Sequence, residues 1–158
     1  MRYAAGVGVI VSSSSRASDA PPADLIPVLV VDDEEAVRMY VSRVLKSAGF
    51  NPVTAVDGPD ALAKMVGLTD CPLLLTDLMM PGMPGDELAR QLRQRLPDIK
   101  VLYMTGFADR LFSDRSLLWE GEAFLEKPFT PKGLLEAIAL LLTGHPQVSA
   151  LPRPPKSL

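Results

Sequence analysis

Short apolar runs alternate with amphipathic stretches through the middle of this chain. Val28-Leu29-Val30-Val31 is a continuous apolar run, the pattern of a strand buried on both faces. Val37, Val41, Val44, Leu45 and Ala48 then recur at helical spacing, and Gly49 closes that helix. Residues 52–56 predict a second, weaker strand, and Gly58-Pro59 opens a short helix with Leu62, Met65 and Val66 on one side. Leu73-Leu74-Leu75 is a third strand. A helix from Pro84-Gly85 carries Leu88, Leu92 and Leu96 and stops at Pro97. Val101–Met104 is a fourth strand, 109–119 a short irregular helix, Ala123–Leu125 a fifth strand, and Pro131 begins a last helix.

Five strands alternating with five helices predict an α/β fold, a parallel sheet with helices on both faces. The right-handed crossover rule leaves few arrangements, and the flavodoxin-like doubly wound order 2-1-3-4-5 is the common five-stranded one. Residues 27–142 form the expected domain. Residues 1–26 read as a flexible leader and linker, and 143–158, with four prolines, as a disordered tail.

Composition narrows the function. The 158 residues are 47% hydrophobic and 22% charged with net charge −3, which allows one domain with a real core and offers no broad basic surface for nucleic acid. No apolar run reaches the ~18 residues of a membrane span. The single Cys71 excludes a disulfide framework and a cysteine-based zinc site. A cytoplasmic location fits these features.

Ligands of doubly wound sheets bind beyond the carboxyl ends of the strands. Asp32 and Asp33 follow the first strand, Asp77 the third, Thr105 the fourth and Lys127 the fifth. Three carboxylates drawn together repel one another unless a cation neutralises them, and an all-oxygen ligand set selects a hard ion such as Mg²⁺. Lys127 supplies a point charge suited to phosphate oxygens and Thr105 a hydroxyl donor. Acids, a lysine and a hydroxyl are the parts for holding a phosphoryl group in transfer, and a carboxylate can itself be the nucleophile. Asp77, isolated from other acids in sequence, is the candidate.

The segments Val30-Val31-Asp32-Asp33, Leu75-Thr76-Asp77-Leu78-Met79-Met80-Pro81, Met104-Thr105-Gly106 and Leu125-Glu126-Lys127-Pro128-Phe129 resemble the motifs of two-component response-regulator receiver domains. The spacings also fit: 45 residues from Asp32 to Asp77, 28 more to Thr105 and 22 more to Lys127. The run after Thr105 and the Phe129-Thr130-Pro131 segment are similar to receivers of hybrid sensor kinases.

The resemblance implies a role for each position. Asp77 would accept a phosphoryl group from a histidine kinase or histidine phosphotransfer protein. Asp33 would bind Mg²⁺ directly, Asp32 largely through water, and the Met79 carbonyl would be a further ligand. Lys127 would hold phosphoryl oxygens, Thr105 and Phe124 would form the switch, and Lys127-Pro128 would be a cis peptide. Met79 and Phe107 would flank the phosphoryl group and slow its hydrolysis. The expectation is a signalling domain acting on an unknown downstream protein, with neither nucleic acid nor membrane as a partner. It is not an enzyme beyond its own phosphorylation and dephosphorylation. Two alternatives stand beside it: a docking module used without phosphorylation, and a phosphatase of the haloacid-dehalogenase class. The phosphatase needs a second aspartate two residues beyond the nucleophile, where this chain has Met79.

Overall fold

The computed structural model describes residues 25–106 and 120–144. Along the chain run β1 (Ile26–Val31), α1 (Glu35–Ser47), β2 (Phe50–Ala55), α2 (Gly58–Met65), β3 (Leu73–Asp77), α3 (Gly85–Arg95), β4 (Lys100–Thr105), β5 (Glu122–Glu126) and α4 (Pro131–Thr143). The expected helix at 109–119, Phe107, the leader up to residue 24 and the tail from 145 lie outside the described residues.

All strand pairs are parallel and the order is β2-β1-β3-β4-β5, as the alternating pattern predicts. β3 is buried along its whole length because it lies at the centre of the sheet, covered on both faces. β2, at the edge, is only partly buried, and it begins at Phe50, two residues earlier than expected. Its Pro52 falls opposite Val28 of β1; an edge strand tolerates proline because one side of its ladder is unpaired.

Side chains alternate across the sheet and divide the interior in two. Leu29, Val31, Leu74, Val101 and Tyr103 point to the α2 and α3 face. Val28, Val30, Leu73, Leu75, Leu102 and Met104 point to the α1 and α4 face. The helices meet these faces with Ala61, Met65, Leu88 and Leu92 on one side and Val41, Leu45, Leu134 and Ile138 on the other.

Helix starts are fixed by local chemistry. Asp57 caps α2 by accepting from the Asp60 amide at 2.8 Å, while the Asp60 carboxylate accepts from the Val56 amide at 3.0 Å, just before the cap. The Thr130 hydroxyl caps α4 by accepting from Gly133 N at 3.0 Å, with Pro131 in the first turn. Among the described residues no helix is long and apolar enough to cross a membrane.

Candidate functional site

β1 and β3 are neighbours, and Val31 is in register with Thr76. The residue after each, Asp32 and Asp77, is thereby carried to the same edge of the sheet. Asp33 lies beside them: one carboxylate oxygen from each of Asp32, Asp33 and Asp77 falls within 4.8 Å of the others. Asp32 is fully buried, Asp77 is 7% exposed and Asp33 is exposed, so the cluster opens to solvent on the Asp33 side.

Lys127 follows β5 and turns back across the sheet edge. The Lys127-Pro128 peptide is cis, as the motif implies. Lys127 N donates to the Thr105 carbonyl at 2.9 Å, which ties the end of β5 to the end of β4. The ammonium lies 2.8 Å from Asp32 Oδ2 and 3.7 Å from Asp77 Oδ2. Burial opposes the Lys127 charge, but the hydrogen bond and charge of Asp32, with Asp77, outweigh it and hold the ammonium above its usual range. Burial pushes the Asp77 carboxyl up to about 6; Lys127 and the Met79 amide pull it down, while Asp32 and Asp33 raise it.

Several backbone contacts hold the acids in place. Asp32 Oδ1 accepts from Glu34 N at 2.9 Å, and the Asp32 carbonyl accepts from Arg38 Nη1 at 2.7 Å. Asp77 Oδ1 accepts from Met79 N at 3.3 Å, and the Asp77 carbonyl accepts from the Thr76 hydroxyl at 2.9 Å. Gly85 N donates to the Leu78 carbonyl at 2.9 Å, and a Cβ on Gly85 would collide with the Asp77 carbonyl oxygen. The start of α3 therefore rests directly on the backbone of Asp77.

Asp77 and Thr105 are the last residues of β3 and β4, so each strand runs further than its apolar core suggested. Thr105 is buried at that strand end, one residue beyond Met104, the register partner of Asp77. The Met79 side chain is 49% exposed beside the acids. Phe124 is half-buried on the α2 and α3 face, and its ring packs on Tyr103 with centroids 5.5 Å apart. Below it, Glu122 accepts from Tyr103 Oη at 3.0 Å and from Arg93 Nη2 at 2.7 Å. The supporting contacts of Arg38, Thr76 and Gly85 were not foreseen. Only the Pro84-Gly85 pair left a trace in the sequence, read there as a helix start.

The donor set fits a hard divalent cation. It consists of three carboxylate oxygens closer together than their charges tolerate unaided, with Lys127 as the one cation paired to them among the described residues.

A parallel sheet in this order, with three acids and a lysine gathered at one edge, defines a flavodoxin-like signalling receiver fold. The chain belongs to the response regulator receiver domain family, whose model matches residues 28–139. It is 38% identical over 117 residues to the sensor kinase CckA of Brucella abortus, covering 73% of this chain and 12% of that protein. It is 32% identical over 115 residues to the response regulator receiver protein CpdR of the same organism, covering 73% of this chain and 95% of CpdR. Among solved structures, the response regulator TrrA of Thermotoga maritima, in complex with Mg²⁺-BeF, superposes with a TM-score of 0.65. The identity is 31%, and the match covers 74% of this chain and 99% of that one.

Proposed function

We propose that residues 27–142 form a phosphoacceptor unit in which Asp77 takes a phosphoryl group from a phosphohistidine on a histidine kinase or phosphotransfer protein. The observation that carries this reading is the approach of Asp32, Asp33 and Asp77 within 4.8 Å, with Lys127 reaching two of them. The relatives agree: one is named a sensor kinase, one a receiver protein, and a structural neighbour was captured with Mg²⁺-BeF.

In the step itself a carboxylate oxygen of Asp77 attacks phosphorus. The new O–P bond forms as the N–P bond breaks, and the electron pair returns to the ring nitrogen, so that the imidazole leaves neutral with the proton already carried on its other nitrogen. Lys127, already between Asp32 and Asp77, swings its ammonium onto the phosphoryl oxygens. Asp33, exposed and without a cationic partner among the described residues, would be the direct ligand of Mg²⁺. Asp77 and the Met79 carbonyl would join it. Asp32 has one oxygen on Glu34 N and the other on Lys127, so it would act through water. The cation, when bound, supplies charge neutralisation at the oxygens of the transferred group. Thr105 and Phe124 would respond to the added charge, the first through its hydroxyl and the second by repacking against Tyr103.

The test is incubation with acetyl phosphate and Mg²⁺, followed by intact mass. One added phosphoryl group in the wild type and none in Asp77→Asn supports the reading. An equal gain in both defeats it.

A further inference from the structure

One side of α1 gathers cationic and hydroxyl donors, several of which find no acceptor among the described residues. Glu35, Arg38, Met39, Ser42, Arg43 and Lys46 recur at spacings of three and four and so share one helical face. With Thr54 of β2 this face lines a groove of about 380 Å³, within the size range of small-molecule sites. Among the described residues Lys64, Arg90, Arg93, Lys127 and Lys132 each lie against a carboxylate. Arg43 and Lys46 form no ion pair there. The Ser42 hydroxyl is buried in the groove wall and has no hydrogen-bond partner among the described residues. Arg38, also in the lining, donates from one nitrogen to the Asp32 carbonyl at 2.7 Å, which fixes its guanidinium.

Among the described residues Glu35 is the one acid in the lining, against Arg38, Arg43 and Lys46. The groove is thus net positive in a segment, 27–142, that holds 12 basic and 17 acidic residues. Cations spread over a helix for solubility would be distributed around it. Here they line one groove, together with a buried hydroxyl that lacks an acceptor among the described residues.

We propose that this groove binds a small phosphoanion, a phosphate monoester or diphosphate. Its oxygens are taken by Arg43 and Lys46, with the Ser42 hydroxyl turning outward to donate. Guanidinium, ammonium and hydroxyl are the donor set such oxygens favour, since the charged donors give the stronger hydrogen bonds. Met39, half exposed beside them, offers an apolar surface for the organic part of the ligand. Arg38 joins this site to the acidic one, because the same guanidinium holds the Asp32 backbone. The proposal stands independently of phosphorylation at Asp77.

Calorimetric titration of the full chain with inorganic pyrophosphate, without divalent cations and at fixed ionic strength, tests it. Saturable one-to-one binding is expected, undiminished in Asp77→Asn. Arg43→Glu/Lys46→Glu, both at exposed positions, should weaken it by about tenfold or more, and Ser42→Ala by about threefold. Arg95→Glu/Lys100→Glu makes the same change in net charge on α3 and β4 and should leave affinity intact. Unchanged circular dichroism shows that each variant is folded. Absence of saturation overturns the proposal, as does equal affinity in the Arg43/Lys46 variant or an equal loss in the Arg95/Lys100 control. Loss of binding in Asp77→Asn would place the anion at the carboxylates and overturn it too.

Discussion

Lys127 and Asp32, 95 residues apart in sequence, form a 2.8 Å ion pair in which the carboxylate side chain is fully buried and the lysine is 20% exposed. Removing one member of such a pair leaves the other charge buried and uncompensated. Lys127→Met should therefore lower stability by about 2–4 kcal/mol. Urea denaturation measures this, and the same variant should take up phosphate from acetyl phosphate far more slowly than wild type.

Asp77 behaves in the opposite sense. Its carboxyl is raised from an ordinary 3.8 to about 6, chiefly by burial. The folded state therefore binds this proton more tightly than the unfolded state. Its contribution to stability is complete below about pH 4 and is lost as pH rises through about 6. At neutral pH, with cations chelated, Asp77→Asn should be more stable than wild type by about 1–3 kcal/mol. Added Mg²⁺ should raise the wild-type melting temperature more than that of the variant. Equal Mg²⁺ responses would contradict the assignment of Asp77 as a ligand.

Gly85 has no room for a side chain against the Asp77 carbonyl. Gly85→Ala should cost about 1–3 kcal/mol through forced backbone displacement, despite alanine's better helix propensity. Because the displaced atom belongs to the proposed phosphoacceptor residue, phosphorylation should slow as well. Thermal denaturation and the acetyl phosphate assay read the two effects separately.

Glu122 is a buried carboxylate held by Arg93 and Tyr103. Tyr103→Phe removes one hydrogen bond and should cost about 1 kcal/mol. Arg93→Met removes a cation held 2.7 Å from the buried carboxylate and should cost about 2–4 kcal/mol. A double variant whose loss falls short of the sum would show that the two act as one network.

Much of this was legible in the sequence because the sheet is buried. β1, β3 and β4 are continuous apolar runs only because helices cover both their faces, and their order follows from crossover geometry. The strand-end acids were legible for the same reason: a charge that terminates a buried run sits at an edge of the sheet. What the sequence hid was lateral. That Thr76 donates to its neighbour's carbonyl, or that Arg38 reaches the Asp32 carbonyl, depends on side-chain directions that no residue pattern encodes. The start of β2 was misplaced because Pro52 reads as a boundary, yet at an unpaired edge it is merely one more strand residue.

Tyr40 of α1 donates through its hydroxyl to the Phe129 carbonyl at 3.0 Å, and the two rings meet with centroids 5.8 Å apart. Phe129 is two residues beyond Lys127, on the same short strap between β5 and α4. Anything that grips the outer side of α1 thus also handles the strap that aims the lysine. Recognition at that helix and chemistry at the acids share a hinge pin, so a visitor that tugs one adjusts the other.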